Sequence, residues 1–106
     1  MQEIESELKI IKRWAENHPL VKKAYFYGSR FKGNYGENSD IDIAIELNLG
    51  HNDKKPMDTW FGESADMKTE LQSVLRYQLD LQWYVNESET PDMHAYLNEA
   101  SIVIYE

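Results

Sequence analysis

The chain has no cysteine, which excludes disulfide staples, CxxC zinc sites and thiol nucleophiles together. It is also short of positive charge, with 11 lysines and arginines against 19 acids and a formal net charge of -8. Binders of long nucleic acids present a basic stripe, so this average field excludes a polymer partner while leaving small phosphates held through a metal. No apolar run approaches the ~18 residues that a membrane span requires. The opening stretch MQEIESELKI is acidic and amphipathic, unlike a secretory signal. A cytoplasmic protein with no membrane association is therefore the default. Proline (3) and glycine (5) are sparse, and no repeat, low-complexity tract or linker divides the sequence. The 106 residues, 42% hydrophobic, read as one globular domain spanning 1–106 with one core.

Apolar spacing supplies the elements. Ile4, Leu8, Ile11 and Trp14 keep a helical 3–4 interval, and Pro19 ends that helix by forcing His18 out of the helical region. Residues 21–27, VKKAYFY, have the content of a strand. Residues 40–47 and 78–85 alternate strictly, which sets Ile41, Ile43, Ile45 and Leu47 opposite Asp40, Asp42, Ala44 and Glu46. Met67, Leu71, Val74 and Leu75 mark a second long helix between those strands. Thr90-Pro91 opens a short helix through Met93 and Leu97 as N-cap and first position, and 102–105 closes as a strand. Residues 48–63, which hold Gly50, Pro56 and Gly62, read as a mobile connection. The expected fold is α+β, a two-layer domain with one mixed sheet and helices packed on a face.

The residues with chemical content are Gly28-Ser29, followed after ten residues by Asp40-x-Asp42. Alternate residues of a strand share a face and lie about 6.6–6.8 Å apart, so Asp40 and Asp42 aim two carboxylates at one region. Like charges so placed repel unless a cation sits between them, and Mg²⁺ suits two carboxylates with its other positions open to phosphate and water. Gly28 permits close backbone approach at a strand end. Residues 29–33 read as a helical turn in which Ser29 adds a hydroxyl donor and Arg30 and Lys32 add positive charge. One element would hold a polyphosphate and the next its metal. An EF-hand is excluded, because Ile43 and Ala44 stand where oxygen ligands and glycine are needed.

The stretch YFYGSRFKGNYGENSDIDIAIEL resembles the signature of the nucleotidyltransferase superfamily that includes DNA polymerase β and kanamycin nucleotidyltransferase. In particular it resembles the minimal nucleotidyltransferases with their GSx10DxD pattern. LDLQWYV is similar to the family's later strand with the third carboxylate, here Asp80, and EASIVIYE to its closing helix and strand. The likeness covers about residues 20–47 and 78–106. Two positions depart from it: Lys32 replaces the usual arginine, losing bidentate phosphate geometry, and Gln82 stands where some relatives carry a further acid.

The resemblance implies a nucleotidyl transfer in which an acceptor hydroxyl attacks the α-phosphate of an NTP. Asp40 and Asp42 would bind two Mg²⁺ ions, with Asp80 completing the catalytic metal site and taking the acceptor's proton. Gly28, Ser29, Arg30 and Lys32 would hold the leaving phosphates. Minimal relatives pair with small HEPN-type toxins as their antitoxins, which implies AMP transfer from ATP to a protein partner. A non-catalytic module that masks its partner and a small-molecule nucleotidyltransferase are the alternatives, and the oligomeric state stays open. His18, His51 and His94 form no metal-binding pair and read as surface or loop residues. Trp14, Trp83 and Phe26 read as core, and Trp60-Phe61 as packing under a loop.

Overall fold

A computed structural model describes residues 2–33, 40–48 and 56–106. The order is α1 (Gln2–Glu16), β1 (Val21–Tyr27), α2 (Ser29–Lys32), β2 (Ile41–Leu47), α3 (Pro56–Gln72), β3 (Leu79–Trp83), α4 (Pro91–Glu99) and β4 (Ser101–Tyr105). This is the succession the apolar spacing predicts. The strands form one mixed sheet in the order β3-β2-β1-β4. β1 runs antiparallel to β2 and β4, whereas β2 and β3 are parallel, with α3 as their crossover.

Period two assigns the faces. Ala24, Phe26, Ile41, Ile43, Ile45, Leu79 and Leu81 point to one side, where Ile4, Ile11 and Ala15 of α1 and Met67 and Leu71 of α3 complete the main core. Tyr25, Tyr27 and Ala44 point to the other, where Met93 and Leu97 of the short α4 pack on them. The long helices thus cover one face, as expected, and α4 adds a smaller cluster on the opposite face. That second cluster explains why Ala44, small and apolar, stands in the polar half of the β2 alternation.

The expected mobile connection over 48–63 is corrected in part. Residues 56–63 belong to α3, and 49–55, including Gly50 and His51, lie outside the described residues. Trp60 packs against the main core and stacks on Trp83 with ring centroids 5.9 Å apart, while Phe61 is exposed. Val74, just past the end of α3 at Gln72, is exposed as well, while Leu75 beside it is buried in the core. Thr90 holds the N-cap position without capping α4. Its hydroxyl instead accepts from the Val85 amide at 3.1 Å and donates to the Asn86 carbonyl at 2.9 Å. His94 is half-buried on α4, its Nδ1 2.7 Å from the Tyr84 hydroxyl. Glu7 is buried among the apolar residues of α1 and accepts from Arg76 Nε at 2.8 Å.

Candidate active site

The β2–β3 register builds the site. Asp42 and Asp80 are direct partners on these parallel strands, flanked by the pairs Ile41–Leu79 and Ile43–Leu81 that anchor the opposite face. Neighbouring strands lie about 4.8 Å apart, so the two half-buried carboxylates emerge side by side. The start of β3 is tied down by Gln72 at the end of α3. Its amide donates to the Tyr77 carbonyl and accepts from the Leu79 amide, both at 2.8 Å, and Ile41 N donates to Gln78 O at 2.8 Å. Slippage by one residue would turn Asp80 into the core.

β1 supplies the next side. Tyr27 is the register partner of Asp42, and Gly28 follows it with φ +85°. An ideal Cβ on Gly28 would lie 2.0 Å from Asp42 Oδ2 and 2.8 Å from its Cγ, so the carboxylate rests directly on the glycine. α2 then begins at Ser29. The side chains of Ser29 and Arg30 lie outside the described residues. Lys32, at the end of α2, places Nζ 2.7 Å from Glu99 Oε1 of α4.

Of the residues the sequence singled out, the structure brings Gly28, Lys32, Asp42 and Asp80 to one cavity of about 300 Å³, walled also by Tyr27, Tyr96 and Glu99. Asp40 immediately precedes β2 and is exposed; it is not on the strand, where the alternation puts it, and does not line this cavity. Asp80 Oδ1 accepts a hydrogen bond from Gln82 Nε2 at 2.7 Å. A second cavity, about 500 Å³, is also lined by Asp80 and shares Tyr27 and Tyr96 with the first. Its further walls include Gln82, Trp83, Thr90 and Met93. Asp80 is therefore common to both.

The electrostatics follow from the two carboxylates. Burial, then the charges of Asp42 and Asp80, and lastly Tyr96 push the Tyr27 phenol above its ordinary value, which keeps it a neutral hydrogen-bond donor. Tyr25, one step back along the same face, is pushed up by burial and by its hydrogen bond to Glu46. Among the described residues no three His, Asp or Glu side chains are gathered closely enough to hold a metal ion. The pair Asp42 and Asp80 nevertheless suits Mg²⁺, a hard ion ordinarily bound through one or two carboxylates with phosphate oxygens completing its shell.

A family model for polymerase beta nucleotidyltransferase domains matches residues 9–106. The chain belongs to the polymerase β nucleotidyltransferase family. Its fold agrees with that membership. A crystal structure of a toxin-antitoxin with AMP-PNP is similar at 26% identity and a TM-score of 0.62, over 92% of this chain and 71% of that one. A crystal structure of the toxin-antitoxin MntA-HpeT, in a variant with two aspartate-to-glutamate changes, is similar at 23% identity, the same coverage and a TM-score of 0.62. A Sulfolobus solfataricus protein assigned as a nucleotidyltransferase is similar at 22% identity and a TM-score of 0.52, over 94% of this chain and 83% of that one. No curated protein sequence matches the chain.

Sequence reasoning missed three walls of this nucleotidyltransferase cavity: Tyr27, Tyr96 and Glu99. Tyr27 was detectable, since it shares the Asp42 side of the sheet once β1 and β2 are aligned antiparallel. Tyr96 and Glu99 depend on how α4 crosses the sheet, and no local pattern encodes that.

Proposed function

We propose that this nucleotidyltransferase transfers a nucleoside monophosphate, AMP from ATP, to a hydroxyl of a protein partner, as the antitoxin of a HEPN-type toxin. The observation that carries the reading is the pairing of Asp42 with Asp80 beside Gly28, in a cavity that shares Asp80 with a second, larger one. A transferase needs a place for the triphosphate and a place for the acceptor, meeting at the carboxylate that manages the acceptor's proton. The likeness to a toxin-antitoxin solved with AMP-PNP supports both the nucleotide and the protein partner.

In this mechanism the triphosphate enters the smaller cavity, its β- and γ-phosphates near Gly28, Ser29, Arg30 and Lys32. Asp42 and Asp80 would hold Mg²⁺, with Asp40, two residues before Asp42, as a further candidate ligand. When bound, the metal supplies charge neutralisation for the α-phosphate and a lower pKa for the acceptor hydroxyl. Asp80 accepts the proton of the acceptor seated in the larger cavity. Tyr27, kept protonated by burial and by the charges of Asp42 and Asp80, is available as a hydrogen-bond donor in the cavity wall. Pyrophosphate leaves past Lys32.

Incubation with labelled ATP, Mg²⁺ and a HEPN-type partner tests the reading. The wild type should label the partner, and the double change Asp40→Asn, Asp42→Asn should abolish labelling while preserving the fold. Undiminished labelling by that double variant would overturn the assignment.

A further inference from the structure

Lys32 and Glu99 are 67 residues apart in sequence and meet on the wall of the smaller cavity, joining α2 to the end of α4. Their side chains are 38% and 61% exposed. Exposed pairs of this kind add little to folding stability, so the fold gives weak reason for it. The helix gives none. Glu99 is the last residue of α4, whose final turn carries no basic residue, and a carboxylate there faces the negative end of the helix dipole.

The cavity does give a reason. Among the described residues lining it, Asp42, Asp80 and Glu99 are acids and Lys32 is the one cation. An incoming triphosphate needs that ammonium, yet one of its three N–H donors is given to Glu99 and its charge is locally offset. We propose that Glu99 is an internal competitor for Lys32, so that a nucleoside triphosphate binds by replacing the Glu99 carboxylate with its own phosphate oxygens. Glu99 thereby sets nucleotide affinity. After transfer it recaptures Lys32 and favours pyrophosphate release. This rests on the reading of Lys32 as a phosphate-binding residue.

Calorimetric titration of ATP with Mg²⁺ into wild type, Glu99→Gln, Lys32→Met and the double variant tests it, with circular dichroism to verify folding. Glu99→Gln should bind about 3-fold to 10-fold more tightly, through a freed lysine and one repulsive charge fewer. Its affinity should also fall more steeply with salt. Lys32→Met should bind more weakly, and in that background Glu99→Gln should gain clearly less. Equal or weaker binding by Glu99→Gln, with Lys32→Met weakened, would overturn the competition and leave the phosphate site standing. A gain undiminished without Lys32 would also overturn it, because Glu99 would then act by general repulsion. If Lys32→Met binds as wild type does, Lys32 is no phosphate ligand, and that part of the site falls with the proposal.

Discussion

The carboxylate of Asp42 lies in the space that a side chain on Gly28 would need, 2.0 Å from an ideal Cβ to Oδ2. Gly28 also has φ +85°, a left-handed conformation that a side chain disfavours. The glycine therefore serves two demands at the end of β1: the chain must turn into α2, and the β2 carboxylate must approach the backbone. A phosphate cradle explains a glycine in sequence, whereas the structure adds that its first neighbour is an aspartate.

Gly28→Ala should consequently do two things at once. The left-handed backbone would cost about 1–2 kcal/mol, read as a lower urea midpoint. The methyl group would also push Asp42 away from its place beside Asp80, and transfer should fall by more than stability predicts. A variant with reduced stability and wild-type transfer would show that Asp42 tolerates the displacement.

Much of this was legible in the sequence because it rests on local periods. β1 over 21–27 is found as read, and the alternation of β2 assigned Ile41, Ile43 and Ile45 to the core and Asp42 to the site face. Gly28, Asp42 and Asp80 converge as the spacing and the family resemblance implied. The failures have a common cause in tertiary context. Residues 56–63 read as part of a loop because Pro56 and Gly62 punctuate them, yet they form the first turns of α3, where Trp60 reaches Trp83. Glu7 stands in the acid-rich opening turns of α1, and no local pattern announces its burial, because its partner Arg76 arrives from 69 residues away. Glu99 on the cavity wall is equally a matter of where α4 lies.

The Glu7–Arg76 pair carries its own prediction. Glu7 is 2% exposed, and it accepts from Arg76 Nε at 2.8 Å and from the Arg76 amide at 3.3 Å. It links α1 to the segment between α3 and β3. Arg76→Met would leave a buried carboxylate with its charge uncompensated, and a loss of about 2 kcal/mol is expected in urea denaturation. Glu7→Gln should cost less, because the amide oxygen still accepts while the charge is gone. Equal costs would mean that charge is irrelevant there.

Alkaline pH should expose the Tyr25 and Tyr27 environments. Both phenols are pushed above the ordinary 10.0, chiefly by burial, with Glu46 acting on Tyr25 and the charges of Asp42 and Asp80 on Tyr27. The unfolded chain then releases these protons at lower pH than the folded one does. Their stabilisation is fully present below 10.0 and is lost as pH rises above it. Stability should therefore fall progressively as pH rises above about 9, and the double change Tyr25→Phe, Tyr27→Phe should flatten that decline. An unchanged slope in the double variant would place the titration elsewhere.

Asp80→Asn separates catalysis from binding. Asp80 faces Asp42 across the β2–β3 register and also borders the larger cavity, so on the proposed mechanism it acts on the acceptor. The change is isosteric, the hydrogen bond with Gln82 can be kept by the amide oxygen, and the Leu79 and Leu81 anchors are untouched. Nucleotide affinity should remain within a few-fold of wild type. Transfer should drop by at least about 10²-fold, the scale of lost general-base help. Partner binding should survive, since one atom-for-atom replacement inside a cleft removes little interface. In a cell carrying a toxic partner, the variant would form the complex and fail to protect. If it protects as well as wild type, the domain neutralises by covering its partner and transfer is dispensable. If it loses nucleotide binding along with transfer, Asp80 serves the triphosphate and the acceptor's proton must go to another group.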